Sequence, residues 1–192
     1  LTLCMGFYKP AHFLLPGKIQ SGEKKIIKLN LKVPKKLKPN VNLIDSKVCN
    51  FLPDFKSDCN KYDRGHVLVI GGKMSGASRI VALVSRKIGC GLSTIGVSKN
   101  YLKYYNGVEV GTIVQEITKD LLKKKDVLVL GPGLGKNFDK KEIIFFLEVF
   151  KGPIVIDADA ISIFKDERKL FYQIIKKKKK NIFFPHNGEF NR

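Results

Sequence analysis

Four short segments of this 192-residue sequence combine glycines or ionisable side chains in ways that could bind or transform a ligand. Gly71-Gly72-Lys73-Met74-Ser75-Gly76-Ala77 sets glycines just ahead of a helix-like pattern. Glycine lets a backbone approach a ligand closely, and a helix start attracts anions. A tight turn with no ligand would use the same residues. Gly131-Pro132-Gly133-Leu134-Gly135 has more glycine than a turn requires, which suits backbone amides lining a pocket. Asp157-Ala158-Asp159-Ala160 offers two carboxylates. One could cap a helix, and the other could hold a hydroxyl, or a metal through water. In Pro185-His186-Asn187-Gly188-Glu189-Phe190, His186 could donate to a ligand, move a proton or cap a turn. Glu189 could assist it or serve as a first-turn helix carboxylate. The first glycine segment is neither a Gly-x-Gly-x-x-Gly fingerprint nor a Walker loop.

The elements that must position these segments follow one rhythm of strand, loop and helix. His66–Ile70 is a buried-strand run ending at Gly71-Gly72, and Gly76–Ile88 sets Ile80, Leu83, Val84 and Ile88 at helical spacing. Leu92–Val97 and Asp126–Leu130 read as strands, the latter entering the three-glycine segment. Asp139–Phe150 reads as a helix that Asp139 can cap, Pro153–Ile156 as a strand, Asp166–Lys177 as a helix and Asn181–Phe184 as a last strand. Residues 98–118 are ambiguous, with Val108–Ile117 able to pair as a further strand. The alternation predicts an α/β fold, a mostly parallel sheet with helices on both faces. Ligands of such sheets bind beyond the carboxyl ends of the strands, where all four segments fall.

The first residues have a different rhythm. A turn at Pro16-Gly17 precedes the alternating run Lys25–Leu31, which reads as a strand. Residues 1–33 are too short to fold alone, 34–45 read as a linker rich in proline and lysine, and 46–192 form the α/β region. Leu1 stands where a starting Met would, and a strand-like run leads almost directly to Asn191-Arg192, so both ends read as cut.

The formal charge of +19 comes from 31 lysines and only five arginines against 17 acidic residues. The lysines are scattered, and the arginines that grip phosphates or read bases are few. The balance reflects composition, and no nucleic-acid partner is expected. The run Lys176–Lys180 decorates a solvated helix end. No apolar stretch is long enough to span a membrane, and no signal peptide opens the chain. Cys4, Cys49, Cys59 and Cys90 form no Cys-x-x-Cys pair, and with His12, His66 and His186 they have no metal-ligand spacing. Cys90, between glycines, reads as a buried thiol, and the whole as a reduced cytoplasmic protein.

Taken in order, the segments resemble the NAD(P)H-hydrate dehydratase family, a branch of the ribokinase-like superfamily. The matching stretches are Asn60–His66 with Val67–Gly72, then Ser75-Gly76-Ala77, Gly131–Gly135, Asp157–Ala160 and Pro185–Phe190. Residues 1–33, through Lys9-Pro10-Ala11-His12 and Leu14-Leu15-Pro16-Gly17, resemble the end of an NAD(P)H-hydrate epimerase domain, fused ahead of the dehydratase in many bacteria. Lys73-Met74, where a small residue and an aromatic are common, and Asn187, where proline is usual, depart mildly from the pattern.

The resemblance implies a ribokinase-like partial domain in a bifunctional repair enzyme. Its reaction removes water from (S)-NAD(P)H hydrate. ADP or ATP, with Mg²⁺, phosphorylates the ring hydroxyl, and phosphate then leaves with help from the ring nitrogen. By position, Ala77, Gly133, Gly135 and His186 would belong to the hydrate-binding region, with Gly131 shaping the loop and Asp159 and Glu189 supporting it. The family's nucleotide site and its Gly-x-Gly-Asp aspartate, the expected base, would lie beyond Arg192. A homo-oligomer is implied as well. Another ribokinase-like small-molecule kinase, or a truncated inactive remnant, remains the alternative.

Overall fold

The structure is a computed structural model, and it describes residues 1–34, 36, 41–54, 56–178 and 180–190. Five residues of the expected linker (35 and 37–40), Lys179 of the lysine run, and Asn191-Arg192 lie outside the described residues. The chain divides into two compact units, Leu1–Asp54 and Phe55–Arg192.

In the first unit, strands β1 (Thr2–Met5) and β2 (Lys24–Ile27) pair in parallel, with helix α1 (Gly17–Ser21) in the connection. The strand expected over Lys25–Leu31 stops at Ile27. Its partner supplies only four residues, and the chain leaves β1 at Gly6, whose φ of +76° turns it away. Cys4 is buried in this unit, its Sγ 3.3 Å from His12 Nδ1.

The second unit is built on a six-stranded sheet in the order β5-β4-β3-β6-β7-β8, with every pairing parallel. Its strands are β3 (His66–Gly71), β4 (Leu92–Val97), β5 (Thr112–Glu116), β6 (Val127–Leu130), β7 (Ile154–Ile156) and β8 (Asn181–Phe183). The ambiguous 98–118 stretch resolves into a 3-10 helix, Lys99–Tyr105, followed by β5 on one edge of the sheet. Helices α2 (Ser75–Lys87), α3 (Lys140–Val149), α4 (Asp159–Ser162), α5 (Arg168–Lys176) and α6 (Asn187–Phe190) complete the unit. Asp139 caps α3 as its sequence position suggests, Oδ1 accepting the Lys141 N–H at 2.8 Å.

Strand side chains alternate between two cores, which is why the central runs are apolar throughout. Leu68, Ile70, Leu128, Leu130, Ile154 and Ile156 enter one core with Ile143, Phe146 and Leu147 of α3. Val69, Ile95, Val97 and Val129 enter the other with Ala82 of α2 and Tyr105. Each fully buried aliphatic side chain contributes roughly 2 kcal/mol. The sheet is thus parallel and covered on both faces.

Helix α2 lies where the spacing over Gly76–Ile88 places it. Ser78, Val81 and Ala82 face the core, whereas Ile80, Val84 and Ile88 are exposed. At 100° per residue, positions 80 and 84 lie about 200° from 78 and 82. The helix packs close to the sheet through its small residues and leaves the bulky stripe outside. Cys90, expected to be buried, is half-buried, its Sγ–H directed at the carbonyls of Gly65 and Leu92.

Strand order makes one place special. From β3 the chain moves outward through β4 to β5, then returns to β6 on the other side of β3. The connections after β3 and β6 therefore leave the sheet in opposite senses, and such a reversal is where α/β sheets bind ligands at their carboxyl ends. Those connections open with the two glycine segments.

Candidate functional site

The two glycine loops are clasped together. Lys73 N–H donates to Leu134 O at 3.3 Å, and Met74 N–H to Gly133 O at 3.1 Å. No side chain fits between them: a Cβ on Gly72 would lie 2.1 Å from Leu134 O, and one on Gly133 would lie 2.2 Å from Met74 O. Gly133 also has φ +76°, and its missing Cβ would meet the Ala77 methyl at 3.3 Å. Ala77, on the first turn of α2, is thereby set beside the glycine loop.

The same loop is tied to the segment after β7. Gly131, at φ +122°, passes so close to Asp157 that a Cβ would fall on its carbonyl oxygen. Gly135, at φ +87°, donates its N–H to Asp159 Oδ2 at 2.8 Å. Asp157 turns back on its own chain, Oδ1 accepting Ala158 N–H at 2.8 Å. Ala158 holds φ +46°, a costly conformation for alanine that aims Asp159 at the loop. Neither aspartate caps α4 through its side chain, since the capping position is Ala158.

A third tie comes from Tyr105. Its hydroxyl donates to Gly72 O at 2.9 Å and stands 2.9 Å from Ser78 Oγ. Burial pushes this phenol above its usual pKa, against the opposing effect of those hydrogen bonds. The hydroxyl therefore stays protonated and holds the Gly72 carbonyl fixed.

His186 and Glu189 form a pair beyond β8. His186 Nδ1 accepts Gly188 N–H at 2.9 Å, which leaves the ring proton on Nε2, 3.2 Å from Glu189 Oε1. Glu189 Oε2 accepts the His186 N–H at 3.0 Å, and this carboxylate is buried while the imidazole is exposed. Glu189 also lines a small cleft with Phe164, Lys165 and Phe171. The structure thus gathers Ala77, Gly131, Gly133, Gly135 and Asp159 into one cluster, with His186 and Glu189 bonded to each other beyond it.

Two larger clefts flank the loop and share Gly135 and Lys136. One, of about 650 Å³, is lined by Asp159, Ser162, Ile163 and Lys165. The other, of about 680 Å³, is lined by Lys73, Met74, Tyr101 and Tyr104. Tyr105, and Tyr101, Tyr104, Lys136, Ser162, Ile163 and Lys165 among the lining residues, belong to none of the four segments that the sequence singles out. The run Tyr101-Leu102-Lys103-Tyr104-Tyr105 was the available signal, an aromatic cluster directly after a strand's carboxyl end.

The resemblance implies a magnesium ion. Among the described residues no three His, Cys, Asp or Glu side chains converge to hold a metal, and Asp157 and Asp159 are already engaged with backbone N–H groups.

Comparison with known proteins decides the family. A family model described as NAD(P)H-hydrate dehydratase matches residues 67–192. The chain belongs to the NAD(P)H-hydrate dehydratase family. It is 30% identical over 148 residues to the bifunctional NAD(P)H-hydrate repair enzyme of Coxiella burnetii, covering 73% of this chain and 29% of that enzyme. A ribokinase-like superfamily protein of Enterococcus faecalis superposes with a TM-score of 0.58 at 22% identity, over 72% of this chain and 51% of its own. The ADP/ATP-dependent NAD(P)H-hydrate dehydratase of Bacillus subtilis, co-crystallised with ATP and Mg²⁺, gives 0.54 at 22% identity, over 76% of this chain and 52% of its own. These two structures establish the ribokinase-like fold. The chain spans less than a third of the bifunctional relative and about half of each structural neighbour.

Proposed function

We propose that this chain provides the hydrate-binding half of an NAD(P)H-hydrate dehydratase, acting on (S)-NAD(P)H hydrate with ADP or ATP. The observation that carries the reading is the point between β3 and β6 where the strand order reverses, with a cleft on each side of the loop after β6. There the glycine loop of residues 131–135 is held by Ala77's helix on one side and by Asp159 on the other. Three positive-φ glycines let the loop fold tightly against its neighbours, with Gly131 and Gly133 buried and Gly135 half-buried, so a dinucleotide would meet the loop at its Gly135 end. Ala77 leaves room beside Gly133, and Asp159 fixes Gly135 in place. The exposed His186 imidazole is held by the Glu189 carboxylate through Nε2.

The chemistry suits such a site. Hydroxide is a poor leaving group, and phosphoryl transfer from the nucleotide converts it into a good one. The chain's own residues would bind and orient the ring, and Mg²⁺ would enter with the nucleotide.

Residues 1–33 fit the tail of an epimerase-like domain ahead of the dehydratase region 46–192. A homo-oligomer is supported by the exposed apolar stripe Ile80, Val84 and Ile88 of α2. A reducing, cytoplasmic setting is supported by the four free cysteines. No described helix is long and apolar enough to cross a membrane.

The test is an assay of the full-length protein with (S)-NADH hydrate, ADP or ATP, and Mg²⁺. Nucleotide-dependent return of NADH absorbance is expected. A phosphorylated product without water loss would favour a ribokinase-like kinase instead, and no turnover would overturn the reading.

A further inference from the structure

The cleft of about 680 Å³ beside the glycine loop has a composition that the hydrate ring does not call for. Tyr101 and Tyr104 form one wall, their ring centroids 6.3 Å apart and tilted by 37°. Tyr101 is anchored, its N–H donating to Ser98 O at 2.8 Å and its ring packed against both cores. Tyr104 is 39% exposed. Lys73 and Lys136 line the cleft on the loop side, and neither makes an ion pair among the described residues. Asn137 adds an amide, and Lys103 Nζ, 5.3 Å from the Tyr104 centroid, a further positive charge.

Aromatic faces next to unpaired cations recognise a flat base joined to phosphates. The hydrated nicotinamide ring has lost its aromatic character and offers no such face, whereas adenine does. We propose that the cleft of Lys73, Tyr101, Tyr104 and Lys136 is a binding site for an adenosine diphosphate group, the tyrosines stacking on adenine and the lysines holding the diphosphate.

Two sources carry that group: the adenylate half of the dinucleotide hydrate, and the free nucleotide co-substrate. Lys136 and Gly135 line both this cleft and the Asp159 cleft. A dinucleotide also has two halves joined at a central diphosphate. The arrangement favours one molecule lying across the loop, its diphosphate at Lys136, adenine on the tyrosines and the hydrated ring toward Asp159. Only this choice of source rests on the hydrate reading.

The experiment titrates the full-length protein with ADP-ribose and with adenosine by calorimetry, alongside Tyr104→Ala and Lys73→Gln. Both substitutions fall at exposed positions. Tyr104→Ala should weaken both probes at least about fivefold. Lys73→Gln should weaken ADP-ribose, leave adenosine unchanged and flatten the salt dependence. Turnover then separates the sources. A raised KM for NADH hydrate assigns the group to the substrate, and a raised KM for ADP or ATP assigns it to the co-substrate. Unchanged ADP-ribose affinity in either variant, or no ADP-ribose binding by the unsubstituted protein, overturns the site whether or not hydrate is turned over. Retained ADP-ribose binding without turnover would instead refute the dehydratase reading alone.

Discussion

Asp159 Oδ2 accepts the backbone N–H of Gly135 at 2.8 Å, joining the loop after β7 to the loop after β6. A charge-assisted bond of this kind holds the loop by its backbone. Asp159→Ala should cost about 1–3 kcal/mol of stability, because the N–H loses its ionised acceptor. Chemical denaturation would show it as a lowered midpoint. A loss of hydrate turnover larger than the loss of stability would show that the carboxylate also positions the loop for binding.

Gly131 should tolerate no side chain. At φ +122° with Asp157 O in the place of a Cβ, Gly131→Ala must move backbone in the loop after β6 or the loop after β7. A destabilisation of about 3 kcal/mol or more is expected, or failure to fold. Gly76→Ala is the control, since its Cβ would meet nothing within 4 Å. Thermal unfolding of the two variants should separate them clearly.

Much of the architecture was legible because parallel strands buried on both faces must be apolar throughout. Runs such as Val67–Ile70 and Val127–Leu130 have that character whatever lies around them. The glycine loops and the Asp157–Asp159 segment were legible for a related reason: backbone contacts leave no space for side chains. Periodicity located α2 but did not tell which face packs, because closeness of packing through Ser78 and Ala82 outweighs the bulk of Ile80 and Val84. Periodicity overran at β2, whose length is set by its partner. The tyrosine tie to Gly72 depends on a contact across 33 residues, which no local pattern reports.

Tyr105→Phe should remove the hydroxyl that joins Gly72 O to Ser78 Oγ while keeping the ring in the core. About 1 kcal/mol of stability should be lost, with greater amide exchange in the Gly72–Ser75 loop. Exchange measured by mass spectrometry reads both.

Ala77→Leu should act on the substrate rather than on the fold. Position 77 is half-buried on the loop side of α2, beside Gly133. A leucine there fills the space the hydrate would take. The expected result is a KM for the hydrate raised about tenfold or more, with a nearly unchanged melting temperature.

Acid should weaken the sheet at the amino-terminal ends of its central strands. Burial holds the His66 imidazole below its usual pKa of 6.5, Lys125 adds to the effect, and Asp126 opposes it. The unfolded chain therefore takes up the proton more readily than the folded one. The stability due to neutral His66 is complete above pH 6.5 and is lost as pH falls through the lower folded value. Its Nε2 stands 2.7 Å from Thr94 Oγ1, so the neutral ring also sits within a hydrogen bond. Urea midpoints should fall on acidification below pH 6.5, and His66→Gln should flatten that part of the curve.

The most direct test of the account is hydrogen exchange over the loop of residues 131–135, with and without (S)-NADH hydrate. If the loop's backbone meets the hydrate, exchange there should slow on binding, together with the first turn of α2 around Ala77. Hydrate that binds while both segments exchange at their free rates would place the site elsewhere and contradict the account.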